Sequence, residues 1–443
     1  MKKRVRQITQ LVVQTASAEQ SVPHILGKVR QRYGALSSEE REDFLSWLSH
    51  GLAVPRDRVV QAIERLQAAP VGDSDVWCNR LAELRDAVDS PRRDVLERFV
   101  DIPGGMGFIL RLRAEVLEAQ RAGRSGLDPL EQDITDLLNT WFNHGFLFIE
   151  EIDRSSSFKK IQFLKERELV HPMVSLEEMG HRLGADRMCF ALRHVAMPEE
   201  PVVFIEVALS RGLVRSIHDI IGDSLDHRKP VTNPDTAIFY SINNTQNGLA
   251  GLGLGKVLVF RVTEALKERH PSLHRFATLS PIPGFWHRYL RPIFEGDDER
   301  FKLKLQDVIE RFPVRARADL EGRFCELDPG GNGDFPKVLI DILSRPDWIK
   351  DRVFYRHLEK PLREIAYTYI ADEKDSRGRP LNPVAGFHLG NGATIALRNV
   401  NFGANRSQRG CEESCGLMAN YLYSLTTFQQ ISRTVQSLIP RHR

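Results

Sequence analysis

The sequence predicts an α+β protein: an all-α helical bundle over residues 1–140, followed over residues 141–443 by an α/β domain with a mixed sheet. Three observations predict it. Apolar residues recur at helical spacing behind capping signals as far as Trp141; short apolar runs of strand length alternate with helical patterns after Gly145; and a glycine-rich turn joins one of those strands to a helix. At 443 residues, 42% hydrophobic and 27% charged, the chain is long and apolar enough to bury the cores of two or three domains.

Four helix starts stand out in the first region. Ser37, with Glu40 three residues on, forms a capping box before Phe44, Leu45 and Leu48, because each side chain answers an amide that a helix start leaves unpaired. Asp57 precedes the stripe Val59, Val60, Ile63 and Leu66. Ser90-Pro91 and Asp128-Pro129 each offer an N-cap oxygen ahead of a proline, whose missing N–H would have had no helical partner. Glu131 completes a box for the last of these, and Ile134, Leu137, Leu138 and Trp141 form one apolar face. Such stripes make core, and the region holds no catalytic constellation. The basic start, Lys2-Lys3-Arg4-Val5-Arg6, leads into Gln7, Thr9, Gln10 and Gln14, so it reads as a solvated helix, or alternatively an organelle presequence, and not as a signal-peptide core.

Beyond Gly145 the apolar runs Phe146–Ile149, Met188–Leu192, Val202–Leu209, Ala237–Ile242 and Phe276–Leu279 read as strands. Helical patterns opening at Ser175-Leu176-Glu177-Glu178 and at Ser216 separate them, which implies a central sheet covered by helices. Phe301–Phe312, Val338–Leu343 and Trp348–Tyr369 read as helices. Val384–Leu389 and Ala393–Val400 flank Gly390-Asn391-Gly392, which predicts a β-hairpin, and Gly330–Gly333 and Arg377–Pro383 read as loops.

Several function classes fall away. Lys plus Arg (62) against Asp plus Glu (59) gives +3, too even for a dedicated nucleic-acid binder, so any anion site is local. The longest apolar runs fall well short of the roughly 20 residues of a membrane span. Cys78, Cys189, Cys325, Cys411 and Cys415 are odd in number and scattered, which is no disulfide framework and fits a reducing compartment, the cytoplasm. Cys411 and Cys415 lack a second Cys/His pair at ligand spacing, so they read as buried or half-buried thiols and no metal is expected. Arg441-His442-Arg443 at the C-terminus is no peroxisomal tripeptide.

Chemistry points first to residues 237–269. An apolar strand leads through Asn243-Asn244-Thr245-Gln246-Asn247 into Gly248-Leu249-Ala250-Gly251-Leu252-Gly253-Leu254-Gly255-Lys256 and then a helix with Val257, Phe260, Val262 and Leu266. Glycines at a strand-to-helix turn let backbone amides approach an anion, and the helix N-terminus adds partial positive charge. A Walker loop fails at Ala250 and Val257, and a dinucleotide fingerprint fails on the spacing Gly251-x-Gly253-x-Gly255. The remaining phosphate-binding pattern is the coenzyme A diphosphate loop of acetyltransferase-like folds, which residues 251–258 resemble, with Ala250 in place of the usual Gln or Arg; a purely structural glycine-rich helix start is the competing reading. Lys256 either counters a coenzyme A phosphate or is a solvated first-turn lysine.

Ser280 follows in Leu279-Ser280-Pro281-Ile282-Pro283-Gly284-Phe285, where two prolines stop the strand and hold the backbone extended at the carboxyl edge of the sheet. It is either a presented hydroxyl or an ordinary exposed turn serine. His388, in Gly386-Phe387-His388-Leu389, alternates with its apolar neighbours as a strand residue would. Nothing in spacing brings Ser280 and His388 together.

A family resemblance does. Tyr240-Ser241-Ile242, Leu279–Phe285, Phe387-His388-Leu389-Gly390-Asn391-Gly392-Ala393 and Ser414-Cys415-Gly416-Leu417-Met418-Ala419-Asn420-Tyr421 together resemble malonyl-CoA decarboxylase, over most of the chain from Trp141 to about Tyr421. The resemblance implies a helical domain for self-association, a GNAT (acetyltransferase)-like catalytic domain, Ser280 and His388 as the catalytic pair, and tetramers built from dimers. It implies that the loop Ala250, Gly251, Leu252, Gly253, Leu254, Gly255 and Lys256 binds the substrate malonyl-CoA, with Asn391 and Tyr421 orienting it or serving structural roles. Gly253 stands where animal members carry an acidic residue, which argues against a carboxylate role there. Loss of carbon dioxide from malonyl-CoA leaves a thioester enolate, which needs donors at the thioester oxygen and one proton at carbon, and no metal, biotin or other cofactor. On this reading His388 donates the proton or polarises the carbonyl, and Ser280 binds the malonyl carboxylate or relays the proton. The alternatives are a CoA-dependent acyltransferase using the same loop and a non-catalytic acyl-CoA-binding regulator.

Overall fold

In the computed structural model, which describes residues 2–18, 22–198, 200–221, 230–330, 333–376 and 378–424, the region up to Trp141 is helical. Its described helices are α1 (Lys3–Ala16), α2 (Pro23–Gly34), α3 (Ser38–Gly51), α4 (Arg56–Gln67), α5 (Ser74–Val88), α6 (Pro91–Glu97), α7 (Gly105–Arg121) and α8 (Asp128–Trp141). The capping box is present at α3: Ser37 Oγ accepts from Glu40 N at 3.3 Å, and Glu40 Oε2 accepts from Ser37 N at 3.0 Å. Ser90 Oγ likewise accepts from Arg93 N at 3.2 Å at the start of α6. The expected box at α8 does not form. The N-cap is Leu127, Asp128 is already helical, and the Glu131 carboxylate is turned to Arg113 and Thr135. The basic N-terminal segment is amphipathic, with Val5, Ile8 and Val12 of α1 buried.

Strand-forming runs then build the mixed sheet: β1 (Leu147–Ile152), β2 (Arg187–His194), β3 (Val203–Ser210), β4 (Thr236–Asn244) and β5 (Arg275–Thr278). Helices α9 (Phe158–Arg167), α10 (Leu176–Arg182), α11 (His218–Ile221) and α12 (Leu254–Arg269) alternate with them, and Ser175 caps α10 by accepting from Glu178 N at 3.1 Å. Further on come β6 (Ser280–Pro281), α13 (Arg291–Phe294), α14 (Leu305–Glu310), α15 (Val314–Leu327), α16 (Phe335–Ser344) and α17 (Arg352–Ala371). The last elements are α18 (Pro383–Gly390), β7 (Ala393–Thr394), β8 (Val400–Asn401), α19 (Gln408–Ser414), β9 (Met418–Ala419) and β10 (Leu422–Tyr423). The seven-stranded sheet has the order β1-β2-β3-β4-β5-β10-β7, and a small second sheet has the order β6-β9-β8.

One feature of this topology positions the chemistry. β4 and β5 run parallel and pair only from Thr236↔Arg275 to Phe239↔Thr278. Past that point β4 continues to Asn244, while the chain after Thr278 leaves for the small sheet, where Ser280 pairs with Ala419. The two parallel strands therefore part at Thr278, and β10 closes the other edge of β5 with Leu422 opposite Ala277. Beneath them Ala208, Ile238, Tyr240, Ala277, Leu279 and Met418 pack into one buried cluster.

The hairpin expected around Gly390-Asn391-Gly392 is not there. Residues 383–390 are helical because Asn382 caps them, its Oδ1 accepting from Ala385 N at 2.9 Å, and Pro383 sits in the first turn. Asn391 closes the helix, its N–H bonding back to the Phe387 and His388 carbonyls at 3.2 Å, and Gly392 takes φ +82°. The flanking run 393–400 splits between two sheets instead of pairing with 384–389. The helix expected from Phe301 is confined to α14, because the buried Glu373 carboxylate holds the Lys302 and Leu303 amides in an open turn at 3.0 and 3.1 Å. Of the two expected loops, residues 331–332 and 377 lie outside the described residues.

By contacts the chain divides into two units, one comprising residues 1–148, 192–202 and 244–254, the other 149–191, 203–243 and 255–443. No described helix is long and apolar enough to cross a membrane.

Candidate active site

Ser280 and His388 meet. Ser280 Oγ lies 3.1 Å from His388 Nε2, although 108 positions separate them in the chain, and both side chains are buried, at 7% and 4% exposure. Ser280 is therefore no exposed turn serine, and His388 is a helix residue of α18, not a strand residue. Each is held from its own side. Pro281, Pro283 and Gly284 (φ +77°) carry the chain out of β6, while Asn382, the cap of α18, donates Nδ2–H to the Pro283 carbonyl at 3.0 Å. One asparagine thus ties the start of the histidine helix to the turn behind the serine.

The pair belongs to a chain of four polar side chains. Ser280 Oγ is 2.9 Å from Thr278 Oγ1, which also accepts from Tyr421 N at 3.2 Å. On the far side of the ring, His388 Nδ1 is 2.9 Å from the Tyr423 hydroxyl. The Tyr421 ring stacks on the imidazole, centroids 4.7 Å apart and planes 28° apart.

Burial lowers His388 to about 3, so the imidazole is neutral, and burial raises the Tyr421 and Tyr423 phenols, which stay protonated. A neutral imidazole has one N–H and one lone pair. Between two hydroxyls it donates to one and accepts from the other, and the two tautomers exchange when a proton enters the chain at the Tyr423 end, one proton shifts across each link it passes, and a proton leaves from the serine end. With a donor at one end and an acceptor at the other, the cluster passes a proton without leaving a charge inside it.

Gly251 and Gly253 have φ +81° and +70°, the left-handed region that favours glycine, and between Asn247 and Leu254 the chain turns from a 3₁₀ segment into α12. The Gly251 and Gly253 amides bond to no described residue. They leave backbone donors for an anion. Gly255 serves packing instead: a Cβ there would lie 2.9 Å from Phe387 Cζ, in the helix that carries His388.

Comparison with known proteins decides the family. The family model described as the malonyl-CoA decarboxylase C-terminal domain matches residues 145–435, and that of the N-terminal domain matches residues 52–142. The chain belongs to the malonyl-CoA decarboxylase family. It is 32% identical over 408 residues to mitochondrial malonyl-CoA decarboxylase of Mus musculus, covering 89% of this chain and 78% of that one. Among solved structures it is similar to malonyl-CoA decarboxylase from Rhodopseudomonas palustris, with TM-score 0.77 and 29% identity over 98% of this chain and 96% of the other. It is likewise similar to that from Agrobacterium vitis, with TM-score 0.77 and 28% identity over 99% of both chains.

Within the family motifs, the other residues singled out from the sequence fall in two groups. Tyr421 joins the Ser280–His388 cluster, and its buried hydroxyl has no partner among the described residues. Asn391 does its visible work through its backbone, at the end of α18. Ala250 and Leu252 belong to the glycine loop, whereas Leu254 is buried and Lys256 is half-buried in the first turn of α12. Cys411 and Cys415 are buried thiols, both raised by burial, Cys411 to about 11. Tyr423 and Asn382 are among the side chains that escaped the sequence reading. Tyr423 carried a faint signal, two positions beyond Tyr421 and so on the same side of an extended chain. Asn382 carried a clear one: Asn382-Pro383 is the same cap-then-proline signature as Ser90-Pro91.

Proposed function

We propose that this chain converts malonyl-CoA to acetyl-CoA and carbon dioxide, with Ser280 and His388 as its catalytic pair. The observation that carries the reading is the 3.1 Å contact between a buried hydroxyl and a buried neutral imidazole. In the reaction the bond between C2 and the malonyl carboxylate breaks, carbon dioxide leaves, and the electron pair passes through C2 to the thioester oxygen. The thioester is its own electron sink, so the step calls for hydrogen-bond donors at that oxygen and one proton for C2. The Ser280 hydroxyl supplies the donor nearest the substrate and passes its proton to C2 of the enolate. His388 replenishes its proton from Nε2 while Nδ1 takes one from Tyr423, and solvent restores the Tyr423 proton. A lone imidazolium is not required at any stage, which suits a site where burial disfavours one.

The glycine loop, Ala250 to Lys256, is assigned the coenzyme A diphosphate, and Asn391 and Tyr421 the orientation of the malonyl group. The Gly251 and Gly253 amides, which have no partner among the described residues, support the first assignment, and the Tyr421 hydroxyl, likewise without a described partner, the second. A division into a helical self-association domain (1–140) and a GNAT-like catalytic domain (141–443), a tetramer built from dimers, and a cytoplasmic location complete the proposal.

Purified chain incubated with malonyl-CoA alone tests it. Acetyl-CoA and carbon dioxide should form in equal amounts without any acceptor. Turnover only when an amine or hydroxyl acceptor is added makes the chain an acyltransferase, and coenzyme A binding without turnover makes it a regulator; either result overturns the decarboxylase reading.

A further inference from the structure

Arg113, on α7 of the helical region, is buried to 4% exposure, and its guanidinium faces two ways. Nη1 donates to the carbonyl oxygens of Gly248 at 2.6 Å and Ala250 at 2.7 Å. Nη2 and Nε reach Glu131 Oε1 at 3.0 and 3.2 Å, and Nε is 2.9 Å from Thr135 Oγ1. Thr135 in turn donates to Glu131 at 2.7 Å, so the charge is matched and the planar fork is fixed in orientation. A second contact presses the loop on the same helix: a Cβ at Gly248 would sit 2.0 Å from the Leu110 carbonyl oxygen.

The direction of the Ala250 carbonyl matters for anion binding; the Leu249 N–H in the plane of the Gly248 carbonyl is already bonded to the Gln246 carbonyl at 3.1 Å. A trans peptide is planar, so its C=O and N–H point opposite ways. With the Ala250 carbonyl held by Arg113, the Gly251 N–H in the same plane points away from α7, and that amide has no described partner. Turned round, the plane would present a carbonyl oxygen where an anion has to sit.

We infer that Arg113 is a positioning residue for coenzyme A: it anchors the loop at the Gly248 carbonyl and, by holding the Ala250 carbonyl, aims the Gly251 amide at the diphosphate, without touching the ligand itself. This rests on the assignment of the loop to the diphosphate. It gives the helical region a part in substrate affinity that is separate from self-association.

The test uses Arg113→Gln and Arg113→Lys in the full chain with two substrates, malonyl-CoA and malonyl-pantetheine, which lacks the diphosphate. Arg113→Gln should raise KM for malonyl-CoA roughly ten-fold with kcat held within about two-fold, and leave kcat/KM for malonyl-pantetheine unchanged. Arg113→Lys, which keeps the charge but cannot bridge both carbonyls and Glu131, should show the same selectivity at roughly three-fold, and carries the test alone should the Gln variant not fold. Equal losses on both substrates, or an unchanged KM for malonyl-CoA, overturn the inference. If the wild type turns over neither substrate, the decarboxylase reading fails on its own and calorimetry with coenzyme A decides this one. Weaker binding by Arg113→Gln then supports it, whereas equal affinity, or no binding by the wild type, overturns it.

Discussion

Two polar clusters are buried in the unit that carries the mixed sheet, and they handle burial in different ways. Around Ser280 and His388 every group is neutral: burial lowers the imidazole to about 3, keeps the tyrosines protonated, and the four groups from Tyr423 to Thr278 are three hydroxyls and one ring. The second cluster is charged. Arg182 Nη1 bonds Glu206 Oε2 at 3.2 Å and Nη2 bonds Glu178 Oε1 at 2.5 Å, while Glu168 accepts from Ser241 Oγ, Asn243 Nδ2 and His171 N at 2.6, 2.8 and 2.7 Å. Burial, with the Glu168 charge nearby, raises Glu206 to about 8. Buried charge has to be matched in place, so such a cluster fixes the packing of β3, β4 and α10 and has little freedom to change. A neutral hydroxyl–imidazole chain can exchange protons at small electrostatic cost. Depth of burial is common to both; what separates a site of chemistry from a structural knot is whether a proton can move without stranding a charge.

Substitutions at matched positions sharpen that contrast. His388→Asn should lower kcat by about 10²- to 10⁴-fold while the thermal midpoint stays close to the wild type, as followed by acetyl-CoA release and by calorimetric melting. A collapsed midpoint would instead place His388 with the structural cluster. Arg182→Met should do the reverse, costing about 3–5 kcal/mol in urea denaturation above pH 8, where Glu206 is ionised and loses its partner, with kcat of the folded protein retained. A loss of rate without a loss of stability there would erase the distinction. Tyr423→Phe removes the hydroxyl at Nδ1 and should slow turnover roughly five- to ten-fold, with KM unchanged.

The pH dependence of stability separates the two clusters as well. Glu206 is raised in the folded chain from an ordinary 4.5 to about 8, so between those values the folded state holds a proton that the unfolded state has lost. Its contribution to stability is present at low pH and is lost as pH rises through that window. His388 is depressed from 6.5 to about 3, and its contribution is lost as pH falls through that range. Urea denaturation of Glu206→Gln against wild type should therefore show a difference that grows in favour of the variant from about pH 5 to pH 8. A constant difference would mean that Glu206 is ionised throughout.

How far the sequence could be read follows from the range of each interaction. Ser37 with Glu40, and Ser90 with Pro91, act within four residues, and those helix starts appear where the spacing puts them. The strand runs near Met188, Val202 and Ala237 are apolar on both faces and were equally plain. At 382–394 two local signals competed, and the cap at Asn382 with Pro383 overrode the glycine-asparagine-glycine tip. The contact between Ser280 and His388 spans 108 residues, and only family likeness pointed to it. Arg113 lies 135 residues from Gly248, in a helix whose apolar stripe reads as plain core, so its grip on the glycine loop left no trace in spacing or composition.

The claim on which all of this turns is that the serine hydroxyl and the imidazole act as one device. A double-mutant cycle on kcat for malonyl-CoA, with Ser280→Ala, His388→Asn and the two combined, measures it directly. The account predicts that the combined variant is no slower than the slower single one, while all three bind coenzyme A as the wild type does. Losses that multiply, or variants that keep full activity, would contradict it.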